Sequence, residues 1–460
     1  MSSPAPATPR LRACVLGLGL AGRFFHVPHL AHSRDFEVVS VVQRGALDAA
    51  LAADLAALAP RARAERDALA ALAAPDVDVV VVATPDATHA ELAAAALRAG
   101  KHVLVDKPLV QTLAQAAALF ALARSREGGA GRLACMPFQN RRHCGDFMAV
   151  ADVLRARRVG ELVEFASHYD RFRPAVRPTW KELDRGALDN LGPHVVDQAL
   201  LLFGEPARVF ADIRALRAGA VTDDAFEIQL FYDGAIDEDA VAVAEDAAGS
   251  AAADAAAGAA AGGATADAAA EAVAGGAAAD AASEAAAAGA AADAVAADSA
   301  GGAHAPARRR RRRRIEGLFA PPRWRCVLKS SMLVAANELK FVLHGTEGSF
   351  VKSGLDGQEA MLCAGGPVLP DGESYGVEPA QLAGTLTPAA SGAAASTVAT
   401  PRGTYATMYT AFAAACRSPG ALEAQEVPPA MALLLMRVLE TARKSAASGR
   451  VERLVEEPAA

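Results

Sequence analysis

Residues 15–22 read Val-Leu-Gly-Leu-Gly-Leu-Ala-Gly, a GxGxxG spacing directly behind the apolar run Arg12 to Leu16. No other feature constrains the fold as much. A strand ending this way turns sharply at Gly17, leaves bare backbone at Gly19, and starts a helix that packs close to the strand at Gly22. The same rhythm continues. Phe36 to Val42 is a second β-branched run, Val77 to Ala83 is nearly continuous valine, and His102 to Val105 is a fourth, short strand. Helical stretches separate them: Thr88 and Glu91 are spaced as a capping box with Gly100 as terminator, and Thr112 with Gln115 repeats the box. Strands buried on both faces and alternating with helices mean right-handed βαβ units and a parallel sheet.

This predicts an α/β chain whose residues 10–135 form a Rossmann dinucleotide-binding domain. Gly17, Gly19, Leu20, Ala21 and Gly22 would face the pyrophosphate, with a helix N-terminus aimed at it. Gln43 and Arg44 follow the second strand, where an NAD-preferring site carries a carboxylate for the ribose hydroxyls. Arg44 can instead pair with a 2′-phosphate, so NADP is the expected cofactor and NAD the alternative. Thr84, Pro85, Thr88 and His89 follow the valine strand at its carboxyl end, where open α/β sheets bind ligands. Asp106 and Lys107 follow the next strand and reach the same edge.

From residue 136 the pattern changes. Helix 146–157, strand 162–168, an Arg/Pro-rich loop, a helix at 193–203 and strands at 209–216 and 226–232 precede a long break. Strands at 324–334 and 339–344 and a helix at 429–447 follow it. Residues 136–233 and 322–460 are expected to form a C-terminal α+β domain for substrate and oligomerisation, with an open, mostly antiparallel sheet. The break, 234–321, is Ala/Gly/Asp-rich, almost without large apolar residues, and includes an unbroken arginine run from Arg308 to Arg314. It cannot offset its ordering entropy, and disorder is the expectation. The six cysteines show no CxxC pair and no clustering with histidine, which argues against a disulfide framework or a metal site and for a reducing cytoplasm. A net charge of −7 and no long apolar run argue against nucleic acid or membrane as partner.

The sequence resembles the Gfo/Idh/MocA oxidoreductases through the glycine turn, ATPDATH (83–89), VLVDKP (103–108) and LGPHVVDQAL (191–200). AGRFFHVPHL, FQNRR, SHYDRFRP and HGTEGSFVKSGLDGQE are similar to its NADP-dependent scyllo-inositol dehydrogenase branch. The resemblance implies hydride transfer between NAD(P) and a secondary hydroxyl, or its ketone, on an inositol, polyol or sugar. It implies Lys107, His194, Asp197 and position 190 as the catalytic set. The family's first aspartate is replaced here by Asn190, with Asp189 one place too early. A histidine titrating near neutrality would move the hydroxyl proton, Lys107 would donate to the same oxygen, and Asp197, three residues on, would steady an imidazolium. Asn140, Arg141, Asp170, Arg171 and Arg173 are the substrate-side candidates, and the second sheet implies a dimer or tetramer. Two other readings stay open: a catalytically weak dinucleotide-binding sensor of the same fold, marked by Asn190, and a polyanion-binding scaffold acting through the arginine run.

Overall fold

The computed structural model describes residues 8–125, 133–232, 324–364, 372–418 and 420–455. The disorder expected of 234–321, including the Arg308–Arg314 run, lies outside the described residues. The first sheet contains β1 (Leu11–Leu16), β2 (Phe36–Val42), β3 (Arg63–Glu65), β4 (Val79–Val82), β5 (His102–Val105) and β6 (Cys135–Pro137). All are parallel, in the order β3-β2-β1-β4-β5-β6. This is the doubly wound order, reversing direction between β1 and β4. Every residue of β4 is buried, as the valine run required. The carboxyl ends of β1, β4 and β5 therefore open together into one crevice.

The second sheet adds β7 (Leu162–His168), β8 (Arg208–Arg214), β9 (Ala225–Tyr232), β10 (Trp324–Ser331), β11 (Leu339–Gly345), β12 (Gly348–Ser353), β13 (Gly384–Pro388), β14 (Ser396–Val398) and β15 (Glu452–Arg453). Their order is β14-β13-β12-β11-β7-β10-β9-β8-β15, antiparallel except where β7 meets β10. The helices Gly186–Phe203 and Pro429–Ser448 pack against one face and against each other. β9 and β10 are direct neighbours with Tyr232 opposite Trp324, and these two rings stack at 4.4 Å. The sequence between them thus leaves and re-enters the sheet at adjacent points.

Two local expectations need correction. Thr88 stands at the N-terminus of helix His89–Arg98 but makes no capping bond: its hydroxyl donates to Pro85 O and pairs with Thr84 Oγ1. The tight Thr-Pro turn offers the hydroxyl a nearer partner than the helix does. The Thr112–Gln115 box does form, with Gln115 Oε1 accepting from Thr112 N and Thr112 Oγ1 from Gln115 N. The helix expected to start at Pro193 starts at Gly186, seven residues earlier, with Pro193 inside it. Asp223 from a distant loop builds that start, accepting from Ala187 N and Leu188 N. Gly186 is required there: its φ is +78° and a Cβ would lie 2.2 Å from Asp223 Oδ1. The tertiary cap offsets the one intrahelical donor that proline removes.

Candidate active site

Gly17, with φ +92°, donates from its amide to Val42 O and sits so close to the end of β4 that a Cβ would meet Ala83 O at 2.7 Å. Gly22 is tighter still, since a Cβ would come within 1.9 Å of Gly17 O. At Gly19 nothing lies within 4 Å of that direction. The turn is therefore closed on the protein side and open on the crevice side, the shape a pyrophosphate needs. The first turn of the helix, Ala21–His26, is π-helical, and an α-helical turn, Val27–His32, completes it. The crevice holds about 770 Å³ and takes in Gly17, Gly19, Leu20, Ala21, Arg44, Thr84, Pro85, Thr88, His89, Asp106 and Lys107, all cofactor candidates from the sequence. Gly22 does not line it and serves packing. His89 is buried, its two ring nitrogens bridging the carbonyl oxygens of Thr84 and Pro108, so it ties the loops after β4 and β5 together.

At the far end of the crevice the chemistry of the wall changes. Gln43 turns inward to accept from Leu18 N, while exposed Arg44 and Arg66 line the opening. Asp67, the neighbouring carboxylate, caps helix Ala68–Ala73 by accepting from Leu69 N and Ala70 N. The donors present fit a nicotinamide dinucleotide: bare glycine backbone would take its pyrophosphate, and two guanidinium groups beside the end of β2 would face its adenosine end.

A second cleft of about 480 Å³ joins the first, and Lys107 and Asn190 line both. Lys107 Nζ donates to Asn190 O at 3.0 Å and to Asn190 Oδ1 at 3.1 Å. Burial, aided by the nearby charge of Lys181, pushes the Lys107 ammonium down to about 8. His194, one turn further along the same helix, is 6 % exposed, faces the second cleft, and stacks beside Tyr169 at 6.3 Å. Its Nδ1 is buried without a hydrogen-bond partner among the described residues. A lysine at the junction of the clefts is thus followed, in the wall of the second, by an imidazole with one nitrogen left without a partner.

Residues 11–156 match the model of the oxidoreductase family with an NAD-binding Rossmann fold, and residues 147–247 match the Gfo/Idh/MocA C-terminal domain. The chain belongs to the Gfo/Idh/MocA family of oxidoreductases. It is 29% identical to the oxidoreductase YdgJ of Escherichia coli over 440 residues, 95% of this chain and 96% of that protein. It is 24% identical to the scyllo-inositol 2-dehydrogenase (NADP(+)) IolW of Bacillus subtilis, over 96% of this chain and 95% of that one. Among solved structures, an oxidoreductase from Bacillus cereus superposes with a TM-score of 0.68 at 25% identity, covering 97% of this chain and 99% of its own. Among the described residues, no helix is long and apolar enough to cross a membrane.

Set against the family pattern, several side chains stand in other roles than the sequence suggested. Asp197 does not steady His194. Both its oxygens are held by Arg142, at 2.8 Å and 2.6 Å, in a pair buried at 3 % and 2 % exposure. The guanidinium presents a two-pronged donor that an imidazole cannot match. His194 does not titrate near neutrality either. Burial, then the charges of Lys107, Arg141, Lys340 and Arg171, hold it well below the usual imidazole range. Asp189 cannot replace the missing family carboxylate, because Arg443 and Arg185 engage it. Asp170 is absent from the cleft wall. It accepts from Ser331 N and pairs with His168 Nδ1, bracing the loop that carries the arginines. Asn140, Arg141, Arg171 and Arg173 do line the second cleft.

Other residues at the site escaped sequence reasoning. Trp180 and Lys181 line both clefts and lead into the short helical turn Lys181–Arg185, whose Arg185 lines the first cleft and pairs with buried Asp86 at 2.5 Å. The turn carries no periodicity to give it away. Only Asp86, a carboxylate in the Thr-Pro-Asp loop that has to find a partner once buried, signalled such a contact.

Proposed function

We propose that the chain is an NADP-dependent dehydrogenase acting on a secondary hydroxyl, or the matching ketone, of a polyol, inositol or sugar. The observation that carries this reading is Lys107 Nζ held by Asn190 where the two clefts join, with His194 one helical turn further on in the wall of the second. When bound, the dinucleotide would supply the hydride acceptor or donor at its nicotinamide ring. Lys107 holds and moves the proton: lowered to about 8, its ammonium gives a proton to a developing alkoxide in reduction, and its amine takes one in oxidation. His194, kept neutral by burial and surrounding cations, positions the substrate hydroxyl through the ring edge that lines the second cleft and adds no competing charge. Asn190 fixes the lysine's aim through two acceptor atoms. NADP is favoured by Arg44 and Arg66 at the crevice mouth, and the likeness to IolW points the same way.

Asn190 weighs toward an enzyme rather than a sensor, because it holds Lys107 through two acceptor atoms at the junction of the clefts. A panel of polyols, inositols and aldoses, assayed by nicotinamide absorbance with NAD and NADP in parallel, tests the reading. Turnover with at least one class, faster with NADP, is expected. Tight cofactor binding with no turnover across the panel would favour the sensor.

A further inference from the structure

The wall of the second cleft carries more cations than its carboxylates hold. Two of its cations are matched: Arg141 pairs with Glu359, and Arg217 lies between Asp224 at 2.9 Å and Glu182 at 3.1 Å. Arg171, Arg173 and Arg177 line the same cleft, and among the described residues none of the three has a carboxylate within ion-pair distance. Their placement is built into the backbone. Arg171 N donates to Ser331 O and Arg173 N to Met332 O, so this segment runs extended past the end of β10, with a single bridge between Phe172 and Leu333. In extended chain alternate residues share a side. Arg171 and Arg173 therefore face the cleft, whereas Phe172 between them is 46% exposed.

Each of these side chains is also partly committed. The Arg171 guanidinium lies 5.3 Å from the centre of the Tyr169 ring, the ring that stacks on His194. Arg173 is half-buried. Desolvation and repulsion from Arg171 and Arg177, only partly offset by the more distant Glu182 and Glu359, hold its guanidinium below its ordinary range. Like charges gathered in a partly dry wall are unfavourable until an anion joins them, and guanidinium groups bind carboxylate and phosphate through two parallel bonds. A neutral polyol leaves that repulsion in place.

We propose that the substrate carries a carboxylate or phosphate, bound by Arg171, Arg173 and Arg177 while its reacting hydroxyl lies at Lys107 and His194. The inference rests on the dehydrogenase reading and narrows its substrate class to acidic or phosphorylated sugars and polyols.

The test uses the full chain saturated with NADP and a matched set: glucose, glucuronate and glucose 6-phosphate, with myo-inositol and its 1-phosphate. Binding is followed by titration calorimetry and turnover by nicotinamide absorbance. At least one charged member should bind about tenfold or more tightly than its neutral parent, the equivalent of about 1.4 kcal/mol. The uronate and phosphate arms separate the two anions. Arg173→Gln and Arg171→Gln should each raise Kd and KM for the charged member about tenfold with kcat little changed, and Arg173→Lys should lose less than Arg173→Gln. Binding without charge preference, or charged members that bind no more weakly to the variants, overturns the proposal. Turnover of neutral sugars alone overturns it while leaving the dehydrogenase reading intact. Charge-selective binding with no turnover of any member supports the anion subsite and sinks the dehydrogenase.

Discussion

Asn190→Asp is the most informative single substitution, because it places a carboxylate where Oδ1 already touches Lys107 Nζ at 3.1 Å. At that separation, an effective dielectric of about 20 gives about 5 kcal/mol of attraction between unit charges, an upper bound. Desolvating the new carboxylate takes part of this back, and contacts of this kind shift titration by about one to three pH. Lys107 titrates at about 8 in the native chain. Oxidation needs the amine, so kcat/KM in that direction should rise through the lysine's titration; reduction needs the ammonium and should fall over the same range. Asn190→Asp should carry both inflections toward alkaline pH by about one to three pH. Asn190→Ala, which removes an acceptor and adds no charge, should carry them the other way. The assay is a pH series of kcat/KM in both directions for three proteins of equal cofactor affinity. Identical inflections in all three would refute Lys107 as the titrating group.

Other consequences follow from the same structure. Arg44→Asp should weaken NADP binding far more than NAD binding, measured by titrating both; wild type that binds NAD more tightly would contradict the NADP reading. Arg142→Met strands the buried Asp197 carboxylate and should cost about 3–5 kcal/mol in chemical denaturation. Adding Asp197→Leu should recover most of that loss, and an additive double mutant would show that the pair is not coupled. Replacing residues 233–323 with a short Gly/Ser turn should preserve thermal midpoint and NADP affinity, since Tyr232 and Trp324 already face each other across adjacent strands. Aggregation or loss of cofactor would mean the segment is needed.

The first sheet was legible because its signals are local: three spaced glycines, a valine run and the helices between fix a parallel order with few alternatives. β7, β9 and β10 were readable from β-branched and aromatic alternation. The short strands β3, β6 and β12 to β15 were not. They are brief pairings on strands already in place, with too few residues to set up a period. Residues of the glycine turn and Lys107 could be located because the fold itself puts strand ends at the crevice. The roles of Asp197 and His194 could not. Whether a buried carboxylate meets an imidazole or an arginine depends on Arg142, 55 positions away in sequence. The imidazole's depressed titration likewise comes from its burial in the fold and then from cations on four separate segments, Lys107, Arg141, Lys340 and Arg171. The turn with Arg185 is set by a long-range pair to Asp86 and has no sequence pattern of its own.

The central claim is that Lys107 moves the proton at a site where cofactor and substrate meet. Its most direct test is Lys107→Met, assayed in the oxidation direction with NADP and the best substrate of the panel, beside a fluorescence titration of NADPH. A general acid–base group contributes about 10²–10⁴-fold, so turnover should fall by that factor while NADPH affinity stays close to wild type. Turnover within a few-fold of wild type, in a variant that binds NADPH normally, would contradict the account.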